Sequence, residues 1–372
     1  MSRFMCCLGG GSSSKVVQDP AELPQLPQAP EPSDSSDSSG PVDSSETSDE
    51  EGFLNFQWNE IVQGTENFEI THLIGQGKVG KLYRCNFPRI HKVGAAKVNH
   101  GNTSGLGEFL AEIRTLHESD HPNVIKLLGK HYGQANTALV YQFMPNGSLD
   151  HHLFANARQV QGLTQATRVL DWDTRMRIAV GVAEGLVYVH QGLLSIHRDV
   201  KATNIVLDDN FVPKLTGFGT AAKIAYGEDG IEMQSKISKN GTEGYLAPET
   251  ENFGLVSTKS DVYSYGVFLL VLFTGRKAND DRERPEAKKK LTDWLMPVLT
   301  RLEYAPMVVD VALGKKYSAH GLNRIFETAR MCLNAQPLER PAMDFVETLV
   351  REAAAYLVPE EHPQKHIIDL VV

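Results

Sequence analysis

Thirteen residues from Ile196 to Asp208, IHRDVKATNIVLD, restrict this chain more than any other stretch. Asp199 and Asn204 stand five apart, with Lys201 between them. They match the catalytic-loop pattern H-R-D-L-x-x-x-N, with valine at the leucine position, and that pattern implies one chemistry. Asp199 would accept or orient the proton of an attacking hydroxyl, Asn204 would hold a metal ion, and Lys201 would neutralise charge on a transferred phosphoryl group. Coincidence is a poor account of that ordering.

A weaker signal lies upstream, where Gly75, Gly77 and Gly80 form GQGKVG between two strand-like runs. Glycines also mark ordinary hairpins, and a dinucleotide fingerprint would need a helix where KLYRC reads as a strand. A glycine hairpin lying over phosphates fits better, because absent side chains let backbone amides approach an anion. Lys97 follows in GAAKV. A lone strand lysine usually faces solvent, but Glu112 on the next helical segment would supply a partner that holds it.

Charge divides the chain. Of a formal net charge of −9, residues 1–51 carry −8, from ten acidic and two basic residues. That stretch has twelve serines, six prolines and almost no large apolar residue beyond position 8. It cannot bury enough surface to offset its ordering entropy and is expected to be disordered. The net negative charge argues against general binding to nucleic acid, and the remainder of the chain is close to neutral. With 41% hydrophobic and 22% charged residues the chain is ordinary for a soluble globular protein, and collagen, coiled coil and a disulfide-stapled mini-domain are excluded. Its four cysteines offer neither a disulfide framework nor a metal spacing, which points to a reducing, intracellular compartment. The N-terminus lacks the apolar run of a secretory signal.

Order is expected from about Phe53. EITHLIG, GKLYRCN and GAAKV read as short strands broken by glycines. GEFLAEIRTLHE carries Phe109, Leu110, Ile113 and Leu116 at a helical period, and VIKLLG and TALVYQF read as two further strands. After Asn146 long helices take over, notably TRMRIAVGVAEGLVYVH. The run VYSYGVFLLVLF at 262–273 is too short for a membrane span of about 20 residues and reads as a buried helix. Polar stretches at 155–169 and 278–290 read as surface loops.

From about Phe56 to Leu357 the chain resembles the eukaryotic protein kinases, and among them the plant receptor-like cytoplasmic kinases, which relay signals from cell-surface receptors. The lead-in FQWNEIVQGTENFEITHLIGQG and the segments VYQFMPNGSLDHHL, DWDTRMRIA, KSDVYSYGV, TGRKA and ERPAM are similar to that branch. The resemblance implies an α+β, two-lobed protein-kinase fold, with a small β-rich N-lobe carrying one main helix, a larger helical C-lobe, and ATP in the cleft. Behind the tail read as disordered from its composition, taken as 1–52, the expected division is N-lobe and hinge start at 53–143, C-lobe at 144–357 and a C-terminal tail at 358–372.

The same resemblance assigns roles. Gly75, Gly77, Gly80, Leu82, Ala95, Lys97 and Glu112 would serve the nucleotide, with Tyr141 at the gatekeeper position and the hinge running from Gln142 to Met144. Asp199, Lys201, Asn204 and Thr242 form the expected catalytic set, Thr242 helping Asp199 to recognise substrate hydroxyls. Asp261 would brace the catalytic loop and Glu249 would pair with Arg340. Arg198 before Asp199 implies control by activation-loop phosphorylation, with Ser235, Ser238 and Thr242 as candidate sites.

One position breaks the pattern. Where the family has Asp-Phe-Gly, this chain has Gly217-Phe218-Gly219. Gly217 thus occupies the place of the principal magnesium ligand without a side chain, which leaves Asn204 as the metal ligand and puts magnesium use in doubt. Losing that electrostatic contribution is expected to cost several kcal/mol, on the order of a thousandfold or more in rate. Val79 at the glycine-loop tip and Leu82 beyond it are lesser departures that packing tolerates.

Three functional expectations remain open. The first is a catalytically impaired pseudokinase that still binds ATP and acts as a switch or scaffold. The second is an active Ser/Thr kinase passing the ATP γ-phosphate to protein hydroxyls. The third is a decoy whose activation segment a foreign enzyme modifies. Expected partners are a cell-surface receptor kinase or co-receptor and other signalling kinases.

The tail adds two readings. Met1-Ser2-Arg3 lacks the glycine of a myristoylation signal. Cys6 and Cys7 are either two exposed thiols or acceptors for two palmitates, and two acyl chains anchor where one binds only marginally. Acylation would place the chain on the cytoplasmic side of the plasma membrane; without it the chain belongs to the cytoplasm. Ser48, followed by Asp49, Glu50 and Glu51, lies in either a solvated spacer or a cluster of acidophilic phosphorylation sites.

Overall fold

Alternating side-chain direction builds the first part of the structure, a computed structural model that describes residues 53–77, 80–100, 105–154, 169–237, 241–280 and 289–358. Six strands form one sheet: β1 (Leu54–Asn55), β2 (Leu73–Gly77), β3 (Gly80–Phe87), β4 (Lys92–His100), β5 (Leu127–Tyr132) and β6 (Asn136–Gln142). Their order is β1-β5-β6-β4-β3-β2, antiparallel except for β1 against β5. Successive residues of a strand face opposite sides. Ala96 and Val98 of β4 therefore join Phe56, Ile61, Tyr83, Ala138 and Val140 in one apolar cluster, while Ala95 joins Leu139 and Tyr141 in another.

Two helices cover these faces. α1 (Trp58–Gly64) buries Ile61 in the first cluster. α2 (Leu106–Leu116) brings Phe109 and Leu116 to the second and also buries Glu112. Leu110 differs from its expected inward position: it is 43% exposed, because the buried stripe of α2 runs along Phe109, Glu112 and Leu116. EITHLIG enters the sheet only at Leu73; Ile70–His72 forms a 3-10 turn, with Ile70 exposed. The sequence reading assigned no helix at α1, although Gln57 and Glu60 form a capping box at its start.

The second part is helical: α3 (Leu149–Leu153), α4 (Trp172–Val187), α5 (Pro248–Phe253), α6 (Thr258–Thr274), α7 (Leu291–Thr300), α8 (Ala319–Cys332) and α9 (Met343–Ala354). Asp171 starts α4 by accepting the Thr174 N–H at 2.9 Å. α6 contains the expected apolar run and is buried without interruption from Ser264 to Thr274, as a helix apolar on every side should be. A Cβ on Gly266 would lie 2.7 Å from that of Cys332, so this glycine sets the close approach of α6 and α8. Cys85 and Cys332 are both buried, and burial pushes each thiol up to about 12. No helix among the described residues is long and apolar enough to cross a membrane.

Short strands shape the loops between α4 and α6. β7 (Ser195–Ile196) precedes the catalytic-type motif, and β8 (Ile205–Leu207) pairs with β9 (Pro213–Leu215) to close it as a hairpin. The segment after Gly219 is tied down at three points. β10 (Ala222–Lys223) pairs with β7. β11 (Ala225–Tyr226) pairs with β12 (Glu232–Met233), and the Glu232 carboxylate accepts both the N–H and the hydroxyl of Thr258, each at 2.6 Å. β13 (Ser235–Lys236) pairs with β14 (Leu255–Val256).

Candidate functional site

The β2–β3 hairpin carries the three glycines, with Gly75 opposite Leu82 and Gly77 opposite Gly80. Only one of them is required by the protein's own packing. A Cβ on Gly80 would lie 2.5 Å from the Val98 carbonyl oxygen, whereas Cβ atoms on Gly75 and Gly77 would make ordinary contacts at 3.6 and 3.8 Å. Among the described residues the neighbours leave room at Gly75 and Gly77, as a surface kept bare for a ligand would.

Behind the hairpin, β4 places Lys97 opposite Leu82 and Leu139, and Ala95 opposite Tyr141. Lys97 Nζ donates to Glu112 Oε1 at 2.5 Å, so the sequence-expected pair is formed. Glu112 is almost wholly buried, while Lys97 keeps about a third of its side chain exposed (31%). Glu112 Oε2 accepts from the Tyr141 hydroxyl. Burial, with the adjacent Glu112 charge, holds that phenol well above its ordinary value and keeps it a donor. Gln142 donates its N–H to the Lys126 carbonyl at 2.9 Å, and Met144 is buried at the start of the helical part.

Below lies the motif at 196–208. Asp199 Oδ1 accepts from Thr242 Oγ1 at 2.8 Å, and Asp199 Oδ2 faces Lys201 Nζ at 2.6 Å. Lys201 Nζ also donates to Thr242 Oγ1 at 2.6 Å. The Thr242 hydroxyl thus bridges the two. Ser235 is half-buried in β13, opposite Val256. Ser238, Ser48, Cys6 and Cys7 lie outside the described residues.

The loop is braced from α6. Asp261 is fully buried and accepts the N–H groups of His197 and Arg198 at 2.7 Å each; its Oδ2 lies 2.9 Å from His190 Nε2. Burial alone would push the Asp261 carboxyl up, but the His190 hydrogen bond and the Arg198 amide together hold it below its ordinary value. His197, its ring tilted against that of Phe218 with centroids 4.5 Å apart, is lowered below its ordinary value by burial, against the opposing pull of Asp261 and Asp199. Arg340 grips Glu249 through both terminal nitrogens, at 2.7 and 2.8 Å. The sequence reading named Asp261, Glu249 and Arg340 but not His190, which nothing but its residue type distinguishes in an apolar helix.

Gly217 adopts φ +83°. A Cβ there would lie 2.7 Å from Cγ and Nδ2 of Asn204 and 2.8 Å from its Oδ1. Asn204 leans into that space and donates Nδ2 to the carbonyl and the Oδ2 of Asp199, both at 2.8 Å. Magnesium requires oxygen ligands in near-octahedral order. A magnesium site on a nucleotide draws on one or two protein carboxylates beside the phosphates. Gly217 offers none, and Asp199 is engaged by the Asn204 amide and the Lys201 ammonium, so the residues at 199, 204 and 217 fit the divalent site that the fold implies poorly.

Residues 68–349 match the family model described as protein tyrosine and serine/threonine kinase. The probable serine/threonine-protein kinase PBL5 of Arabidopsis thaliana is 36% identical over 294 residues, covering 78% of this chain and 67% of that protein. The probable serine/threonine-protein kinase PBL6 of the same plant is 35% identical over 332 residues, covering 87% and 76%. The receptor-like kinase LIP2, also from Arabidopsis thaliana, is 37% identical over 295 residues, covering 78% and 51%.

Proposed function

Since the chain belongs to the protein tyrosine and serine/threonine kinase family, with plant receptor-like cytoplasmic kinases as relatives, we propose that it acts as a nucleotide-binding switch or scaffold in receptor-proximal signalling. The observation that carries this reading is Gly217, with the Asn204 amide in the space of the missing side chain. Phosphoryl transfer depends on metal bridging the β- and γ-phosphates. Loss of that contribution is worth about a thousandfold in rate. The Lys97–Glu112 pair and the bare face of Gly75 and Gly77 support retained binding of ATP.

A second reading, an active Ser/Thr kinase, draws support from the contacts that join Asp199, Lys201 and Thr242. Transfer of labelled phosphate from ATP separates the two. Wild type, Gly217→Asp and Asp199→Asn are compared in magnesium and then in manganese. The switch reading expects no label above the Asp199→Asn background in wild type. Transfer by wild type that Asp199→Asn abolishes makes the protein an enzyme. The partners in this reading are receptor kinases and other signalling kinases, and palmitates on Cys6 and Cys7 hold the chain at the cytoplasmic face of the plasma membrane.

A further inference from the structure

We infer that Asn204 has replaced the missing side chain at 217 as the filler of the cleft floor, and that nucleotide binds there without a divalent cation. The inference rests on the nucleotide-binding part of the proposed function and adds how the phosphates are held.

A side chain at 217 and the observed position of Asn204 exclude each other, because real Cβ atoms essentially never lie 2.7 Å from a neighbour's side-chain atoms. Asn204 is not loosely placed. Its amide nitrogen bonds Asp199 twice, its backbone N–H donates to the Lys201 carbonyl at 3.0 Å, and its own carbonyl accepts the Thr216 N–H at 2.9 Å. The residue is fastened to both sides of the gap that Gly217 leaves.

The acid that remains is equally engaged. Asp199 Oδ1 takes the Thr242 hydroxyl, and Oδ2 takes the Asn204 amide and faces the Lys201 ammonium. A cation seeking oxygen would have to displace an amide and an ammonium to reach that carboxylate, and beside it would find only the neutral Oδ1 of Asn204 and no carboxylate at 217. Positive charge is supplied instead by the protein. Lys97 and Lys201 keep 31% and 20% of their side chains exposed, and the hairpin at Gly75 and Gly77 presents no side chain between its backbone and a ligand. Ammonium groups and backbone N–H donors suffice to recognise a polyphosphate.

The test is calorimetric titration of the purified full chain with ATP, in EDTA, in magnesium chloride and in manganese chloride. The expected dissociation constants in the three buffers agree within about threefold. Gly217→Asp, which forces Asn204 aside and restores a carboxylate, is expected to prefer magnesium by about tenfold or more. Wild type that binds about tenfold tighter in magnesium than in EDTA overturns the inference. So does absence of binding in EDTA. A wild type that needs magnesium yet transfers no phosphate overturns this inference alone and leaves the switch reading standing. Phosphate transfer by wild type overturns the switch reading instead. The wild-type comparison stands even where the variant fails to fold.

Discussion

The Tyr141 hydroxyl donates to Glu112, the same carboxylate that receives Lys97 on its other oxygen. A residue expected to face the nucleotide therefore also holds the acid that positions the lysine. Tyr141→Phe removes one donor from a carboxylate that is almost wholly buried, and a hydrogen bond to a charged group contributes about 1.5–3 kcal/mol. Urea unfolding should show the variant less stable by roughly that amount. Unchanged stability would mean that Lys97 alone satisfies Glu112.

Acid should weaken the fold earlier than its carboxylates require. Burial keeps His197 neutral in the folded chain, below its ordinary 6.5, whereas the unfolded chain takes up a proton there. The unfolded state then binds more protons, so stability is full above about pH 6.5 and falls as pH drops below it. Asp261 acts in the same direction at lower pH, since its carboxyl is held below its ordinary 3.8 and its contribution is lost only as pH falls further. Melting temperatures between pH 8 and 5 should be level at first and then decline, and His197→Gln should flatten the decline. A wild-type profile level down to pH 5 would contradict the buried neutral imidazole.

Leu194 stands at φ +47° with half of its surface exposed. The left-handed region costs a side chain of this kind about 1–2 kcal/mol, and asparagine tolerates it better. Leu194→Asn should therefore raise stability by about 0.5–1 kcal/mol, even after the loss of its partial burial. Thermal melting measures this directly; a lower melting temperature would show that the leucine's contacts outweigh its backbone strain.

What could be read from sequence follows the reach of each signal. The motif at 196–208 and the pairs Lys97–Glu112 and Glu249–Arg340 involve residue types with few alternative uses, so pattern and resemblance together located them. The long apolar run inside α6 was equally plain, because a helix buried on every side needs no periodicity. Short elements were harder. Alternation cannot say where a strand leaves its sheet, and EITHLIG enters at Leu73 instead of Glu69. The seven residues of α1 carry too little period, although Gln57 and Glu60 offered a cap signature. The position of Asn204 was beyond reach altogether. It depends on which rotamer fills a space left by glycine, and only three-dimensional contacts decide that.

The segment after Gly219 is held by two strand pairings and by Glu232 at the head of α6, while Arg198 already donates to the Thr220 carbonyl at 2.8 Å. In a chain built this way, a phosphate added to Ser235 would meet backbone already in place. Its effect would fall on charge and shape at the surface, where another protein can read it, while the pairings at 222–236 would stand without the modifying enzyme.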